Sequence, residues 1–323
     1  MKKFSGNPGG GGQINTMKTI ESSVSVLKQA VHVSINKDKV RWFARNFNRN
    51  KLEHWLSISP FNLNQLKEVE KIGFLFSLDS ISFCYWGNPK WKVEYYGKEY
   101  DGTQAMMACL GRVIENGKTF TPNYLARMQR NELENILQGN IEIPLLDERL
   151  RNLNEIGAVV QKKFKGDFRY VVDQSRYDSS RLVDLLVREF SSFEDSAIYR
   201  GKEIEFNKRA QLLASDINQT FGKLEQSDKL TACADYKLPQ VLRRYEILQY
   251  SDELQKRIST GKEIPKGSEE EVEIRAHTIY AVELIKAELT EITSNQINDY
   301  LWLEGQIKLP TDEPYHLTRT TAY

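Results

Sequence analysis

The chain has 323 residues, 40% of them hydrophobic and 11% aromatic, which is enough to bury a core in one large domain or two small ones. Its 45 basic and 44 acidic side chains give a formal charge of +1, and this balance lacks the positive surface that binding of intact DNA or RNA requires. No apolar run approaches the roughly 20 residues of a membrane-spanning helix, so no membrane partner is expected.

The three cysteines and four histidines predict neither a disulfide framework nor a metal centre. Cys84, Cys109 and Cys233 are far apart and odd in number, and the sequence contains no CxxC or HExxH pattern. The basic N-terminus continues into glycine and polar residues instead of the apolar core of a signal peptide, which favours a cytoplasmic protein. The oligomeric state is left open by these patterns.

Residues 1–16 are predicted to form a disordered tail, because Pro8 and the four glycines at 9–12 provide no side chains to bury. The glycine run does not indicate a phosphate-binding loop, since no strand precedes it and no GK[ST] follows. Residues 17–323 are then predicted to form a single domain.

Strand-like patterns come next along the chain. Residues 74–86 (FLFSLDSISFCYW) and 91–102 (WKVEYYGKEYDG) predict a meander, with Gly-Asn-Pro at 87–89 and Gly97 as turn residues. The stretch AIYRGKEIEF at 197–206 predicts a short hairpin that turns at Arg200 and Gly201.

Helical spacing of apolar residues dominates the rest of the sequence. Asp178 is predicted to cap one helix, and Ser268 with Glu271 forms a predicted capping box at the start of another. The clearest helical segments are 144–164, 178–190, 206–221 and 267–292. The sequence shows no βαβ alternation, so the predicted fold class is mainly α with a small antiparallel β-sheet.

Asp235 lies in the stretch TACADYKLPQ at 231–240, between a small apolar run and a proline. A carboxylate desolvated by apolar neighbours can act as a nucleophile or general base. Aspartate is also a favoured N-cap, here for a helix that contains Pro239 and Gln240. The local pattern favours the cap and leaves a catalytic role open.

Two further acidic positions have structural and functional interpretations. Asp216, beside the apolar stripe of a predicted helix, is typical of a solvated carboxylate or one paired with Arg209 or Lys223. The stretch NDYLWLEGQ at 298–306 predicts aromatic side chains in the core and acids at the surface. An aromatic plane beside carboxylates would also suit a flat cationic ligand. The stretch YHLTRTTAY at 315–323 is predicted to dock on the domain, with His316 in a structural role.

Taken together, these motifs resemble one protein family. PLLDERLRNLNEIG, KRAQLLASD, ADYKLPQVLRRYEILQYSDEL, GSEEEVEIRA, YLW and YHLTRTTAY occur in the order, and near the spacings, found in the queuosine salvage proteins. The resemblance covers about residues 32–323. It implies a helical domain akin to DNA glycosylases and no cofactor. The implied reaction is hydrolysis of the N-glycosidic bond of queuosine 5′-monophosphate to queuine and ribose 5-phosphate, which salvages queuine for tRNA modification.

The resemblance also implies roles for individual residues. The family's catalytic carboxylate falls in the motif ADY, which makes it Asp235 here. Relatives commonly have a phenylalanine where this chain has Cys233, so Trp91 is a candidate to stack on the base. Asn298 is an alternative to Asp299. The implied substrate-binding residues are Cys233, Ala234, Tyr236, Asp299, Tyr300, Glu304 and Trp91, with Lys208, Arg209, Lys237 and Arg319 as candidates for the 5′-phosphate.

Two other functions remain open from the sequence. The first is a non-catalytic nucleoside-binding or helical interaction protein, in which Asp235 only caps a helix. The second is a glycosylase that acts on nucleic acid, which the near-zero net charge disfavours.

Overall fold

The computed structural model describes residues 15–323, which form fourteen α-helices and six short β-strands. The helices are α1 (Asn15–Leu27), α2 (Lys37–Arg45), α3 (Glu68–Ser80), α4 (Gly102–Glu115), α5 (Pro122–Arg127), α6 (Arg130–Ile136), α7 (Leu146–Lys163), α8 (Arg169–Gln174), α9 (Ser179–Glu189), α10 (Lys208–Phe221), α11 (Lys237–Arg244), α12 (Asp252–Ser259), α13 (Glu269–Glu288) and α14 (Ser294–Glu304). The strands are β1 (Val33–Ile35), β2 (Lys92–Tyr95), β3 (Lys98–Asp101), β4 (Ser196–Tyr199), β5 (Lys202–Glu205) and β6 (Leu248–Tyr250). The predicted class is confirmed.

Three predictions about the whole chain have different outcomes. The predicted tail, residues 1–16, lies outside the described residues except for its last two, which belong to α1. Among the described helices, none combines the length and the apolar character that crossing a bilayer would require. The single domain and the likeness to DNA glycosylases remain predictions.

The strands form three separate two-stranded antiparallel sheets. The hairpins β2–β3 and β4–β5 confirm the predicted turns, and both have two-residue loops, at Tyr96–Gly97 and Arg200–Gly201. All four loop residues have positive φ, which matches the twist of a tight hairpin. The third sheet joins β1 to β6 across more than 200 residues of sequence and was not predicted, because local patterns carry no signal for such pairing.

The predicted strand at 74–86 is wrong throughout, because residues 74–80 belong to α3 and residues 81–86 form no strand. This helix packs against α4, α7 and α10, and every residue from Ile72 to Ser80 is buried. A helix covered on all sides has no polar face and therefore no helical periodicity in its sequence.

The four predicted helical segments correspond to α7, α9, α10 and α13. Asp178 caps α9 by accepting a hydrogen bond from the Arg181 N–H at 2.9 Å. Ser268 caps α13 through the Glu271 N–H at 3.3 Å, but the Glu271 carboxylate accepts from the Gly267 N–H instead of the Ser268 N–H. Only one half of the predicted capping box is therefore present.

Two large hydrophobic clusters form most of the core and meet at the loop before α11, and a third, small cluster consists of Phe83, Cys84 and Trp86. One cluster is built mainly from α3–α10 and includes Cys233. The other is built mainly from α2, α11, α13 and α14 and includes Ala234. Trp302 packs against both clusters. Just before Asp235 the chain runs along the boundary of the two clusters, with Ala232 and Ala234 in one and Cys233 in the other, and a cavity opens beside this crossing.

Candidate active site

A cavity of about 270 Å³ lies beside the crossing between the two clusters. Its wall is contributed by segments that are distant in sequence: a 3₁₀ helix at Trp55–Ile58, the loop after α3, the start of α4, the start of α10, the loop before α11, and α14. The aromatic residues of the wall are Trp55, Phe83, Tyr85, Tyr100, Tyr236, Trp302 and Tyr323. Its charged residues are Lys90, Lys98, Glu99, Asp101, Lys208, Asp235, Lys237 and Lys308.

Asp235 is on the cavity wall and also caps α11. Its Oδ1 accepts hydrogen bonds from the Lys237 N–H at 2.7 Å and the Leu238 N–H at 3.1 Å. Within residues 15–323, no donor group bonds to Oδ2. The side chain is almost fully buried, with the residue 7% exposed. The capping bonds fix the carboxylate, and Oδ2 stays available for a ligand in the cavity.

The loop that carries Asp235 is held from three sides by buried side chains. Gln211 Oε1 accepts from the N–H and the hydroxyl of Thr231, at 2.8 and 2.9 Å. Asn298 Oδ1 accepts from the Cys233 N–H at 2.9 Å, and Arg275 Nε donates to the Ala234 carbonyl at 3.3 Å. Helices α10, α13 and α14 therefore determine together where the Asp235 carboxylate lies.

Asn298, and not its neighbour Asp299, lines the cavity. Asn298 Nδ2 donates to Asp299 Oδ1 at 3.0 Å, so Asp299 lies behind it. Burial raises the pKa of Asp299 to about 7. The prediction that Asp299 lies at the surface is wrong, because the residue is buried. Asn298, the alternative to Asp299, is the polar residue that lines the cavity.

A pair of buried carboxyl groups, Asp79 and Asp216, lies behind Trp55. Asp216 Oδ1 accepts from Trp55 Nε1 at 2.8 Å, and burial together with the neighbouring charge of Asp79 raises the pKa of Asp216. Among the described residues, neither Asp79 oxygen has a hydrogen-bond partner, so burial of the charged form is costly and the protonated form is favoured. The predicted solvated position of Asp216 is therefore wrong, since the side chain is fully buried.

His54 connects this acidic pair to α14. Its Nδ1 accepts from the Leu56 N–H, and its Nε2 lies 3.4 Å from Asp216 Oδ1 and 3.6 Å from Asp299 Oδ2. Burial lowers the pKa of His54 to about 4, so the ring is neutral and Nε2 carries the hydrogen. The hydrogen-bond partner of Nε2 is the Ser215 hydroxyl at 3.5 Å, and His54 is the N-cap of the 3₁₀ helix that begins at Trp55.

The acidic pair makes the folded state sensitive to pH, because burial raises the pKa of Asp79 to about 7 from its ordinary value of 3.8. Between these two values the folded state holds a proton that the unfolded chain has lost, so the contribution of this group to stability falls as pH rises. Asp79→Asn is expected to flatten this decline and to raise the unfolding midpoint at pH values above about 7. Thermal unfolding between about pH 5 and 8 measures both effects.

The control for this variant is Asp38→Asn on the exposed surface of α2. It should leave the pH dependence as it is in the wild type. An Asp79→Asn protein with the wild-type decline between about pH 5 and 8 would show that the buried carboxyl pair does not bind the extra proton.

Lysines gather at another part of the cavity. Lys237 Nζ donates to the Gly305 carbonyl at 3.0 Å, and burial together with the neighbouring charge of Lys90 lowers the pKa of Lys237. The positive charge of Lys308 also lowers the pKa of Lys237. Lys90 is paired with Asp101 at 2.7 Å. Three ammonium groups within electrostatic range of each other form a site suited to an anion.

Several residues implied by the family resemblance do not line the cavity. Trp91 stacks behind Tyr85, with ring centroids 6.4 Å apart, and donates to the Leu137 carbonyl. Tyr300 packs on Phe47. Glu304 pairs with Lys51 at 2.9 Å. Ala234 is buried beside Arg275.

Of the four basic residues considered for the phosphate, two line the cavity and two do not. Lys208 and Lys237 line the cavity. Arg209 is buried and donates to the backbone carbonyls of Ser80 and Ser192, and Arg319 pairs with Glu263 at 3.4 Å near the surface. Of the residues next to the proposed catalytic aspartate, Cys233 and Tyr236 line the cavity, and burial raises the pKa of both.

Sequence reasoning missed most of the aromatic wall. Trp55, Phe83 and Tyr323 come from irregular segments, where no periodicity marks an inward-facing residue. The predicted docking of the final segment is confirmed, because the Cys84 N–H donates to the Tyr323 carbonyl at 2.8 Å and Trp86 Nε1 donates to the Thr318 carbonyl. Docking of this segment could have suggested that Tyr323 reaches the cavity.

The described residues also include one group of potential metal ligands outside the cavity, formed by His32, Glu269 and Glu273. The Glu273 carboxylate already accepts from the N–H groups of Val31, His32 and Val33 and from the Tyr199 hydroxyl. These bonds explain why Glu273 is buried, because its carboxylate fixes the backbone at the start of β1.

Comparison with known proteins places this geometry in context. A family model described as "Queuosine salvage protein" matches residues 62–323. A protein of Sphaerobacter thermophilus is 43% identical over 261 residues, covering 77% of this chain and 80% of its own length. Proteins of Mus musculus (35% identical; 75% of each chain) and Dictyostelium discoideum (29%; 94% of this chain and 98% of the relative) are also similar. All three relatives are named queuosine 5′-phosphate N-glycosylase/hydrolase.

Proposed function

The chain belongs to the queuosine salvage protein family, and we propose that it hydrolyses the N-glycosidic bond of queuosine 5′-monophosphate to queuine and ribose 5-phosphate. The observation that carries this proposal is the position of Asp235. Its carboxylate is fixed by two backbone N–H groups on the wall of a cavity that carries both aromatic and basic side chains, and one oxygen is left for the substrate.

The chemistry of the reaction fits a carboxylate at this place. Breaking the bond between C1′ of a ribose and a base develops positive charge on the sugar. A negative charge held against C1′ in a water-poor site stabilises that charge without having to reorganise. Asp235 has this role, with Oδ2 directed to the sugar.

The remaining wall suits the other parts of the substrate. Aromatic side chains such as Trp55, Phe83 and Trp302 offer apolar faces for a flat base. Lys90, Lys237 and Lys308 provide cations for the 5′-phosphate. Free queuine would serve tRNA modification, and the proposed location of the enzyme is the cytoplasm.

Incubation of the protein with queuosine 5′-monophosphate, followed by mass spectrometry, tests the proposal. Release of queuine is expected, at a higher kcat/KM than for queuosine without its phosphate, because only the nucleotide uses the lysines. Binding of the nucleotide without turnover would establish a non-catalytic binding protein instead. Cleavage of queuosine only within intact tRNA would make the protein a nucleic-acid glycosylase.

A further inference from the structure

Lys208 is a buried cation on the cavity wall, and its backbone is firmly held. It is the first residue of α10 and only 7% exposed. Its N–H donates to Asp195 Oδ2 at 3.1 Å, and its carbonyl accepts from the Cys233 thiol at 3.6 Å. The side chain therefore starts from a fixed point beside the loop that carries Asp235.

The ammonium group of Lys208 has no hydrogen-bond or ion-pair partner within residues 15–323. Other buried cations in this region are satisfied: Arg275 is paired with Asp195, and Arg149 and Arg209 donate to backbone carbonyls. Burying a charge without a partner is costly. An unpaired ammonium at the wall of a cavity is explained if its partner is a ligand.

Lys208 and Lys237 lie at different parts of the cavity wall. Lys208 lies beside Cys233, whose thiol donates to the Lys208 carbonyl at 3.6 Å, and the Lys208 N–H donates to Asp195. Lys237 Nζ donates to the Gly305 carbonyl and lies 5.3 Å from the ring centroid of Tyr315. Asp235 follows Cys233 by two residues and accepts from the Lys237 N–H, so it lies between the two parts. With the phosphate at the lysine group and C1′ at Asp235, the base lies at the Lys208 end.

We propose that Lys208 is a second catalytic residue, whose ammonium group stabilises the negative charge on the departing base. This role rests on the proposed N-glycosidase function. When the bond between C1′ and the base nitrogen breaks, its electron pair goes to the base. Water adds to C1′, its hydroxyl staying on the sugar and one proton ending on the base, so that the products are ribose 5-phosphate and queuine with a neutral deazaguanine ring.

The identity of the base explains why such a cation is needed. Queuine is a 7-deazaguanine and lacks the N7 that an enzyme can protonate to activate an ordinary purine. Its negative charge must be stabilised at the oxygen and nitrogen atoms that remain. A buried ammonium group interacts with that charge more strongly than it would in water, because burial removes the solvent that would screen it.

The test compares Lys208→Met with Lys237→Met on two substrates, queuosine 5′-monophosphate and queuosine. Lys208→Met keeps the apolar stem and removes the charge. It is expected to lower kcat by about 10²–10³-fold on both substrates and to leave inhibition by ribose 5-phosphate unchanged. Lys237→Met is expected to raise KM roughly tenfold for the nucleotide only, and to weaken inhibition by ribose 5-phosphate.

Folding of the variants is measured by thermal unfolding. Removing an unpaired buried charge should not lower the unfolding midpoint of Lys208→Met. Lys208→Arg, which restores a cation, is expected to recover part of the lost kcat. If Lys208→Met impairs only the nucleotide and weakens inhibition by ribose 5-phosphate, Lys208 is a phosphate ligand and the proposal is overturned. The proposal is also overturned if the wild type turns over the substrate and Lys208→Met has the same kcat. No turnover by the wild type overturns the proposed function itself, and this role with it.

Discussion

Replacement of Asp235 by asparagine is expected to lower kcat for queuosine 5′-monophosphate roughly 10³-fold while the fold stays intact. Asparagine retains a side-chain oxygen that can accept from the Lys237 and Leu238 N–H groups, so the cap of α11 is preserved. The negative charge is lost, and an NH₂ group replaces the second oxygen. The measurement is the rate of queuine release at saturating substrate, together with the unfolding midpoint.

Two further variants separate the charge from the cap. Asp235→Ala removes both and should show the same loss of kcat, with about 1 kcal/mol less free energy of unfolding. Asp178→Asn changes a second capping aspartate, which bonds to the Arg181 N–H at the start of α9 and does not line the cavity. It should leave kcat unchanged. If Asp235→Asn kept kcat within about tenfold of the wild type, Asp235 would be a helix cap alone.

The double role of Asp235 shows why local sequence left two interpretations open. Capping and catalysis both favour an aspartate before a helix, and a carboxylate has two oxygens. In the structure Oδ1 caps α11, and Oδ2 has no donor partner among residues 15–323. The two interpretations are compatible, and the catalytic one remains a prediction.

The sequence was most informative where an element has one apolar face and a polar cap. Helices α7, α9, α10 and α13 have these features, and their positions were predicted to within a few residues. Helix α3 lacks them because all its faces are covered, and its sequence FLFSLDS was taken for a strand. Amphipathic spacing reports partial exposure, so it cannot identify a helix in the centre of the core.

The cavity wall was less predictable than the fold because long-range packing determines it. Trp55 reaches the cavity through its bond to Asp216, which is 161 positions away in the sequence. Asn298 reaches it through its bond to the Cys233 N–H. No local pattern encodes either contact. The family resemblance indicated Asp235 and the surrounding loop, whereas the identity of the aromatic and basic neighbours required the structure.

Arg275 is a buried residue whose loss we expect to have the largest effect on stability. Its guanidinium donates to both oxygens of Asp195, at 2.8 and 2.6 Å, and lies 3.9 Å from the ring centroid of Phe206. Burial alone would raise the pKa of Asp195, but the charge and hydrogen bonds of Arg275 outweigh it, and the pKa is lowered. The Asp195 carboxylate is therefore ionised inside the core and depends on Arg275.

Arg275→Met is expected to lower the free energy of unfolding by about 3–5 kcal/mol, because it leaves a buried charge without its partner. Urea denaturation measures this change. Arg200→Met removes an exposed pair with Glu269 and should cost less than about 1 kcal/mol. The double variant Arg275→Met/Asp195→Leu should recover part of the loss, since it also removes the Asp195 charge that Arg275→Met leaves unpaired.

The same substitution should impair catalysis in the molecules that remain folded. Arg275 Nε donates to the carbonyl of Ala234, the residue before Asp235, and the Asp195 carboxylate accepts from the Lys208 N–H. The Arg275–Asp195 ion pair is thus bonded to the backbone next to Asp235 and to the backbone of Lys208, the two proposed catalytic residues. The folded fraction of Arg275→Met should therefore have a lower kcat than the wild type at a temperature well below its unfolding midpoint. A variant with wild-type kcat and a loss below about 1 kcal/mol would show that neither the core nor the loop depends on this pair.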